Sequence, residues 1–199
     1  MLLAHCRAYV IAHTEAQNRS LTGLAERAGF GFVATVCGER SVSIEARHRD
    51  LVYFFVHHRL TDTAIGAVIR LIRQSPDDAI RYAPTILVSP DCPIETVLKY
   101  VRLGFDDILT LPERREVLVD RLLGQLESEH VYYETANYLG PDRRRLELTP
   151  RQGEGGRATE KPFSRLIIHR SVEHGVRVLK REMFGRTSRS LPELRRGAA

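Results

Sequence analysis

The chain has 199 residues, 43% of them apolar and 28% charged, enough for one domain with a full core plus an extension, or for two small domains. No apolar run reaches the roughly 18 residues of a membrane-spanning helix, and the start, MLLAHCRAYVIAH, has too short an apolar stretch and no small-residue cleavage site for a signal peptide, so neither a span nor secretion is expected. The net charge of +5 is uneven: residues 131–199 hold 15 Lys and Arg against 8 Asp and Glu, the rest 15 against 17, so attraction to polyanions or acidic proteins belongs to the second part.

Along the chain, short apolar runs alternate with amphipathic stretches. AYVIA (8–12) is compact enough for a buried strand. Leu21, Leu24, Ala25 and Ala28 follow on one helix face, stopped by Gly29. GFVATV (31–36) predicts a second strand, 40–48 a short helix, and LVYFFV (51–56) a third strand. Ala64, Ile65, Val68, Ile69 and Ile72 form a helical stripe closed by Ser75-Pro76. PTILVS (84–89) is the fourth strand; Ile94, Val97, Leu98 and Val101 repeat the helical spacing up to Gly104. DDILTL (106–111) is the fifth strand, and a long helix is expected from Pro112 through Leu118, Leu122 and Leu126. Five nearly continuous apolar strands alternating with helices imply an α/β domain over 1–130, a doubly wound parallel sheet buried on both faces.

Residues 131–199 differ. YLGPDRRR (138–145) carries a Gly-Pro break and three arginines, TPRQGEGGRATEKP (149–162) reads as a flexible linker, and the last fifteen residues as disordered. Between them, two apolar-bearing runs flank SVEHG, which suits a small β-hairpin, with an amphipathic helix as the competing reading. The three cysteines, Cys6, Cys37 and Cys92, form neither a CxxC pair nor a metal-ligand spacing; they fit a reducing cytoplasm and small buried hydrophobes.

The order of these pieces is similar to the receiver domain of bacterial response regulators over residues 8–128. DLVYFFVHHRL occupies the third strand, PTILVS the fourth, and GFDDILTLP tracks the family's Gly-Ala-Asp-Asp-Tyr-Leu-Thr-Lys-Pro. The resemblance implies a flavodoxin-like sheet in strand order 2-1-3-4-5. It also implies where chemistry would sit. A receiver takes a phosphoryl group on an Asp ending strand three, beside a Mg²⁺-binding acidic pair after strand one, a Ser or Thr ending strand four and a Lys ending strand five. A carboxylate nucleophile and a hard cation are what phosphoryl transfer requires. Here Phe55 falls at the acceptor position, His13 and Thr14 stand in place of the acidic pair with only Glu15 nearby, and Leu111 replaces the Lys; Ser89 alone is kept. The resemblance therefore implies a degenerate pseudo-receiver, with no phosphate switch and no cofactor.

Other acids are poorly placed. Asp50 belongs to the wrong end of strand three, and Asp62 reads as a solvated helix N-cap. His13, His57 and His58 gather near one sheet edge, but neighbouring strand residues face opposite ways and no further ligand completes a metal site. No phosphate-cradling Gly loop, nucleophile elbow or HExxH occurs, so catalysis is not expected. The family's partner face is expected to include Lys99, Tyr100, Arg102 and Arg114, with Arg143, Arg144 and Arg145 adding a docking segment. A cyclic-dinucleotide reading of those arginines fails, because neither Arg143 nor Arg144 has an Arg four residues on. The function expected is a cytoplasmic signalling adaptor binding signalling proteins, self-association being left open. The alternative is a nucleic-acid-associated regulator using its basic extension, although no helix-turn-helix or aromatic platform supports it.

Overall fold

The structure, a computed structural model, describes residues 2–36, 51–90, 93–142 and 162–185. A 3₁₀ turn at Leu2–His5 leads into β1 (Cys6–Ile11), α1 (Glu15–Ala28), β2 (Phe32–Thr35), β3 (Leu51–His57), α2 (Asp62–Arg73), α3 (Asp78–Arg81), β4 (Thr85–Ser89), α4 (Ile94–Leu103), β5 (Asp107–Thr110) and α5 (Arg115–Leu123). The five strands are parallel in the order β2-β1-β3-β4-β5, the doubly wound α/β arrangement that the alternation implies.

Double-sided burial explains the unbroken apolar strands. Alternate residues of β3 feed opposite cores: Tyr53 and Phe55 meet Leu21, Leu24, Leu118 and Leu122 of α1 and α5. Val52, Phe54 and Val56 meet Ile65, Ile69 and Ile72 of α2 and Val101 of α4. Helix boundaries follow local chemistry. Thr14 and Gln17 form a reciprocal capping box at the start of α1, and Gly29, at φ 98°, ends it in the left-handed conformation that glycine tolerates.

Two helix readings are corrected. Thr61, rather than Asp62, caps α2: its hydroxyl accepts the Ala64 amide at 3.2 Å, leaving Asp62 in the first turn. The last helix starts at Arg115, beyond Pro112, and ends at Leu123; Leu126 is still buried in the first core, but from the loop.

The chain then builds a second sheet: β6 (Glu129–Thr135), β7 (Tyr138–Pro141), β8 (Phe163–Ser171) and β9 (Gly175–Phe184), antiparallel in the order β7-β6-β8-β9. The hairpin around SVEHG is present as β8–β9, turning at residues 172–174 with Gly175 at φ 70°. The Gly-Pro of YLGPDRRR is no break: Gly140 and Pro141 lie in β7, where an edge position tolerates proline. Cys37, Asp50, Cys92, the helix expected over 40–48, Arg143, Arg144, Arg145 and nearly all of the expected linker and terminus lie outside the described residues.

Candidate functional site

Strand ends set two candidate regions, the carboxyl edge of the parallel sheet and its amino edge. At the carboxyl edge, register corrects one expectation. Phe55 pairs with Val10 and Ile86 in mid-strand, is fully buried, and packs edge-on against Phe30 with ring centroids 5.5 Å apart. The residue ending β3 is His57, level with Val88, and His58 follows it. The apolar run hides this shift, because a strand buried on both faces shows no alternation to count from.

His57 and His58 stack, with centroids 4.7 Å apart and planes at 26°. The expectation that they face opposite ways fails because His58 lies past the strand end, where pleating no longer dictates direction. Their Nδ1 atoms are engaged: His57 Nδ1 accepts the Arg59 amide at 3.1 Å, and His58 Nδ1 lies 3.3 Å from the Val88 carbonyl. Burial, with His58 and Arg59 nearby, lowers the His57 pKa, so this ring is neutral at pH 7. An accepting Nδ1 fits that state.

His13 is exposed, and Thr14 is spent as the cap of α1. Glu15 is exposed and pairs with Arg19 at 2.5 Å. Ser89 is buried, its carbonyl accepting the Leu111 amide at 2.8 Å, and Leu111 packs against the first core. Asp62 is held by Lys99 at 2.6 Å. Among the described residues no group of three or more His, Cys, Asp and Glu is placed to hold a metal ion.

Of the expected partner-face residues, Lys99, Arg102 and Arg114 are exposed, but Tyr100 is buried in the second core against Phe105. The reason is spacing: position 100 lies on the inward stripe with 97 and 101.

The amino edge holds a cluster of almost completely buried charges. Asp106, the first acid of GFDDILTLP, is 3% exposed between Arg73 at 4% and Arg170 at 0%. One carboxylate oxygen accepts from Arg73 Nη2 at 2.7 Å and the Thr85 amide at 2.8 Å. The other accepts from Arg170 Nη2 at 2.8 Å and from the Tyr132 hydroxyl. Arg73 also donates to the carbonyls of Arg81, Ala83 and Gly104, and Arg170 to those of Tyr82 and Gln125. The Tyr132 ring has both guanidiniums within 5.6 Å of its centroid. Burial opposes ionisation of Asp106, but Arg170, Arg73 and the donated hydrogen bonds outweigh it and hold the carboxyl below its usual range.

This cluster joins the two sheets. Thr85 starts β4, Arg73 ends α2 and Asp106 directly precedes β5, while Tyr132 and Arg170 belong to β6 and β8. Around it, Tyr82, Tyr132, Leu139, Leu166 and Ile168 form a third core. The backbones touch as well: a Cβ on Gly140 would lie 2.8 Å from the Gly104 Cα and 2.6 Å from the Tyr138 hydroxyl oxygen, so the approach of β7 to the α4–β5 corner requires glycine. Sequence reading missed Arg73, Asp106, Tyr132 and Arg170 as a set. One signal was available: in RLIIHR, period two puts Arg170 on the same face as Leu166 and Ile168, an arginine on a buried face.

No family model matches the sequence, and no curated protein does. Among solved structures, the chain is similar to the chemotaxis protein CheY4 of Vibrio cholerae at 13% identity and a TM-score of 0.47, covering 60% of this chain and 97% of that one. A protein of Burkholderia thailandensis assigned to pilus assembly gives 22%, 0.46, 59% and 94%. The receiver domain of the Pseudomonas aeruginosa sensor histidine kinase PA1611, which holds a magnesium ion in its active-site cleft, gives 16%, 0.46, 60% and 95%. The five-stranded parallel sheet has the flavodoxin-like order 2-1-3-4-5, and the chain adds a second, antiparallel sheet to it.

Proposed function

We propose that the chain is a phosphorylation-independent pseudo-receiver, not an enzyme, which acts as an adaptor in two-component-type signalling by binding other proteins. One observation carries the reading: where a receiver ends its third strand in an acceptor carboxylate, β3 ends in a stacked histidine pair whose Nδ1 atoms are committed to the backbone. Leu111 and the capping Thr14 add neither a cation nor a metal ligand beside it. The basic extension supports nucleic-acid binding less well. In the second sheet Arg165 and Lys180 pair with Glu182, and Arg181 with Glu134, so these cations are already engaged.

Incubating the full chain with acetyl phosphate and Mg²⁺ should give no phosphoprotein by intact mass, under conditions in which an ordinary receiver is modified. A hydroxylamine-sensitive phosphoryl adduct on any aspartate would refute the reading; its removal by Asp62→Asn would identify that residue as an unconventional acceptor.

A further inference from the structure

Between α2, α4 and the β6–β7 turn runs a groove of about 950 Å³, reaching from Asp62 at the start of α2 to Arg73 at its end. Its α2 wall is one full helix face: Asp62, Gly66, Arg70 and Arg73 all line it. At 1.5 Å per residue that face is roughly 18 Å long, far more than a single phosphate or carboxylate needs and the span of five or six extended residues. Ile69, Leu103 and Leu139 supply apolar surface inside the groove. Arg70 and Arg102 reach it from α2 and α4, both are exposed, and neither makes an ion pair among the described residues. The groove's acids, in contrast, are occupied: Asp62 by Lys99, and Glu134 by Arg81 and Arg181. The free charge presented to a visitor is therefore positive.

A second observation is independent of charge. Gly66 sits inside α2, where glycine weakens a helix relative to alanine. Its φ is not in the left-handed region, and a Cβ there would meet nothing within 4 Å. Neither backbone conformation nor internal packing requires glycine at this position. The space it leaves open belongs to the groove.

We propose that this groove takes an acidic, extended segment of a partner protein, its carboxylates on Arg70 and Arg102 and its backbone running close over Gly66. The proposal rests on the adaptor half of the function above and names its partner's chemistry; it does not depend on whether the carboxyl edge can be phosphorylated. Charge complementarity selects the acidic class, and the length of the groove selects a chain over a small anion.

The probe is a fluorescein-labelled peptide alternating Glu with Leu, titrated against the full chain by anisotropy, with its Lys-for-Glu counterpart and inorganic pyrophosphate as comparisons. Binding of the acidic peptide alone is expected, weakening as salt rises, and about tenfold weaker in Arg70→Glu/Arg102→Glu. Gly66→Leu, which changes no charge, should weaken it comparably while the melting temperature holds or rises; Gly66→Ala should raise the melting temperature. The proposal is overturned if the acidic peptide does not bind, if pyrophosphate displaces it at equal concentration, or if both variants bind like the parent chain, which would place the attraction elsewhere. None of those outcomes would bear on the absence of phosphorylation, so the two readings fail separately.

Discussion

Asp106→Asn should cost the fold about 3–5 kcal/mol, because it removes the anion from a buried cluster and leaves two buried guanidiniums facing each other. The substitution is nearly isosteric, so cavity formation contributes little. The loss comes from uncompensated charge, and from an amide nitrogen placed where both oxygens now only accept. Against total stabilities of roughly 5–15 kcal/mol this is a large fraction, readable by urea or thermal unfolding. Asp120→Asn at an exposed position of α5 is the matched comparison and should stay within about 0.5 kcal/mol. The effect also has a pH signature. The folded-state pKa of Asp106 is depressed, so its contribution is fully present above the unfolded value of about 3.9 and is lost as pH falls through the folded one. The parent chain should therefore lose stability on acidification below about pH 4, while Asp106→Asn starts lower and lacks this component. Equal stabilities at pH 7 would mean that the cluster is not what holds the edge together.

Arg170→Leu should cost about 3 kcal/mol, and its effect should be local. Asp106 keeps Arg73, the Thr85 amide and the Tyr132 hydroxyl, so no buried anion is orphaned. What is lost is the grip of β8 on the first unit: the Tyr82 carbonyl and the Gln125 side-chain oxygen lose their donor, while the Gln125 carbonyl keeps its contact with His130 Nε2. Amide exchange in β6–β9 should accelerate by about two orders of magnitude, while β1, β3 and β4 keep their protection. Because Asp106 and Arg170 share a hydrogen bond, the double variant should cost less than the two singles together. Uniform acceleration in both sheets would show that they open together and that Arg170 is not a local fastening.

These two residues also mark how far the sequence could be read. The parallel sheet was legible because double-sided burial writes itself as continuous runs such as LVYFFV and PTILVS, and because Ile65, Ile69 and Ile72 keep strict helical spacing. Gly29 and Gly104 announced helix ends for a reason the backbone confirms, φ values of 98° and 106°. The second sheet was only partly legible. The β8–β9 hairpin has a turn signal, but β6 places Glu134 on the inward face, where an apolar residue would have advertised a strand. That glutamate is tolerated because Arg81, from the first unit, and Arg181 meet it. Sequence alone does not show such a long-range partner.

The candidate site was legible as chemistry and misread in register. His13, Thr14, Ser89 and Leu111 lie at or just past strand ends, yet the residue ending β3 is His57, two residues beyond the Phe55 first assigned to the acceptor position. An apolar strand with no polar face gives no marker for where it leaves the core. The motif GFDDILTLP shows the opposite case: it identified the strand, while the role of Asp106 as the hub between two sheets depends on Arg170, 64 residues away.

The most direct test follows the imidazole signals of His13, His57 and His58 and the amide of Ser89 by NMR while Mg²⁺ and then beryllofluoride, a mimic of the acyl phosphate, are added to the full chain. A pseudo-receiver with this carboxyl edge should show no saturable shift at any of the four. A saturable shift centred on them and requiring both additions would contradict it, since only an assembled acidic acceptor site binds that pair.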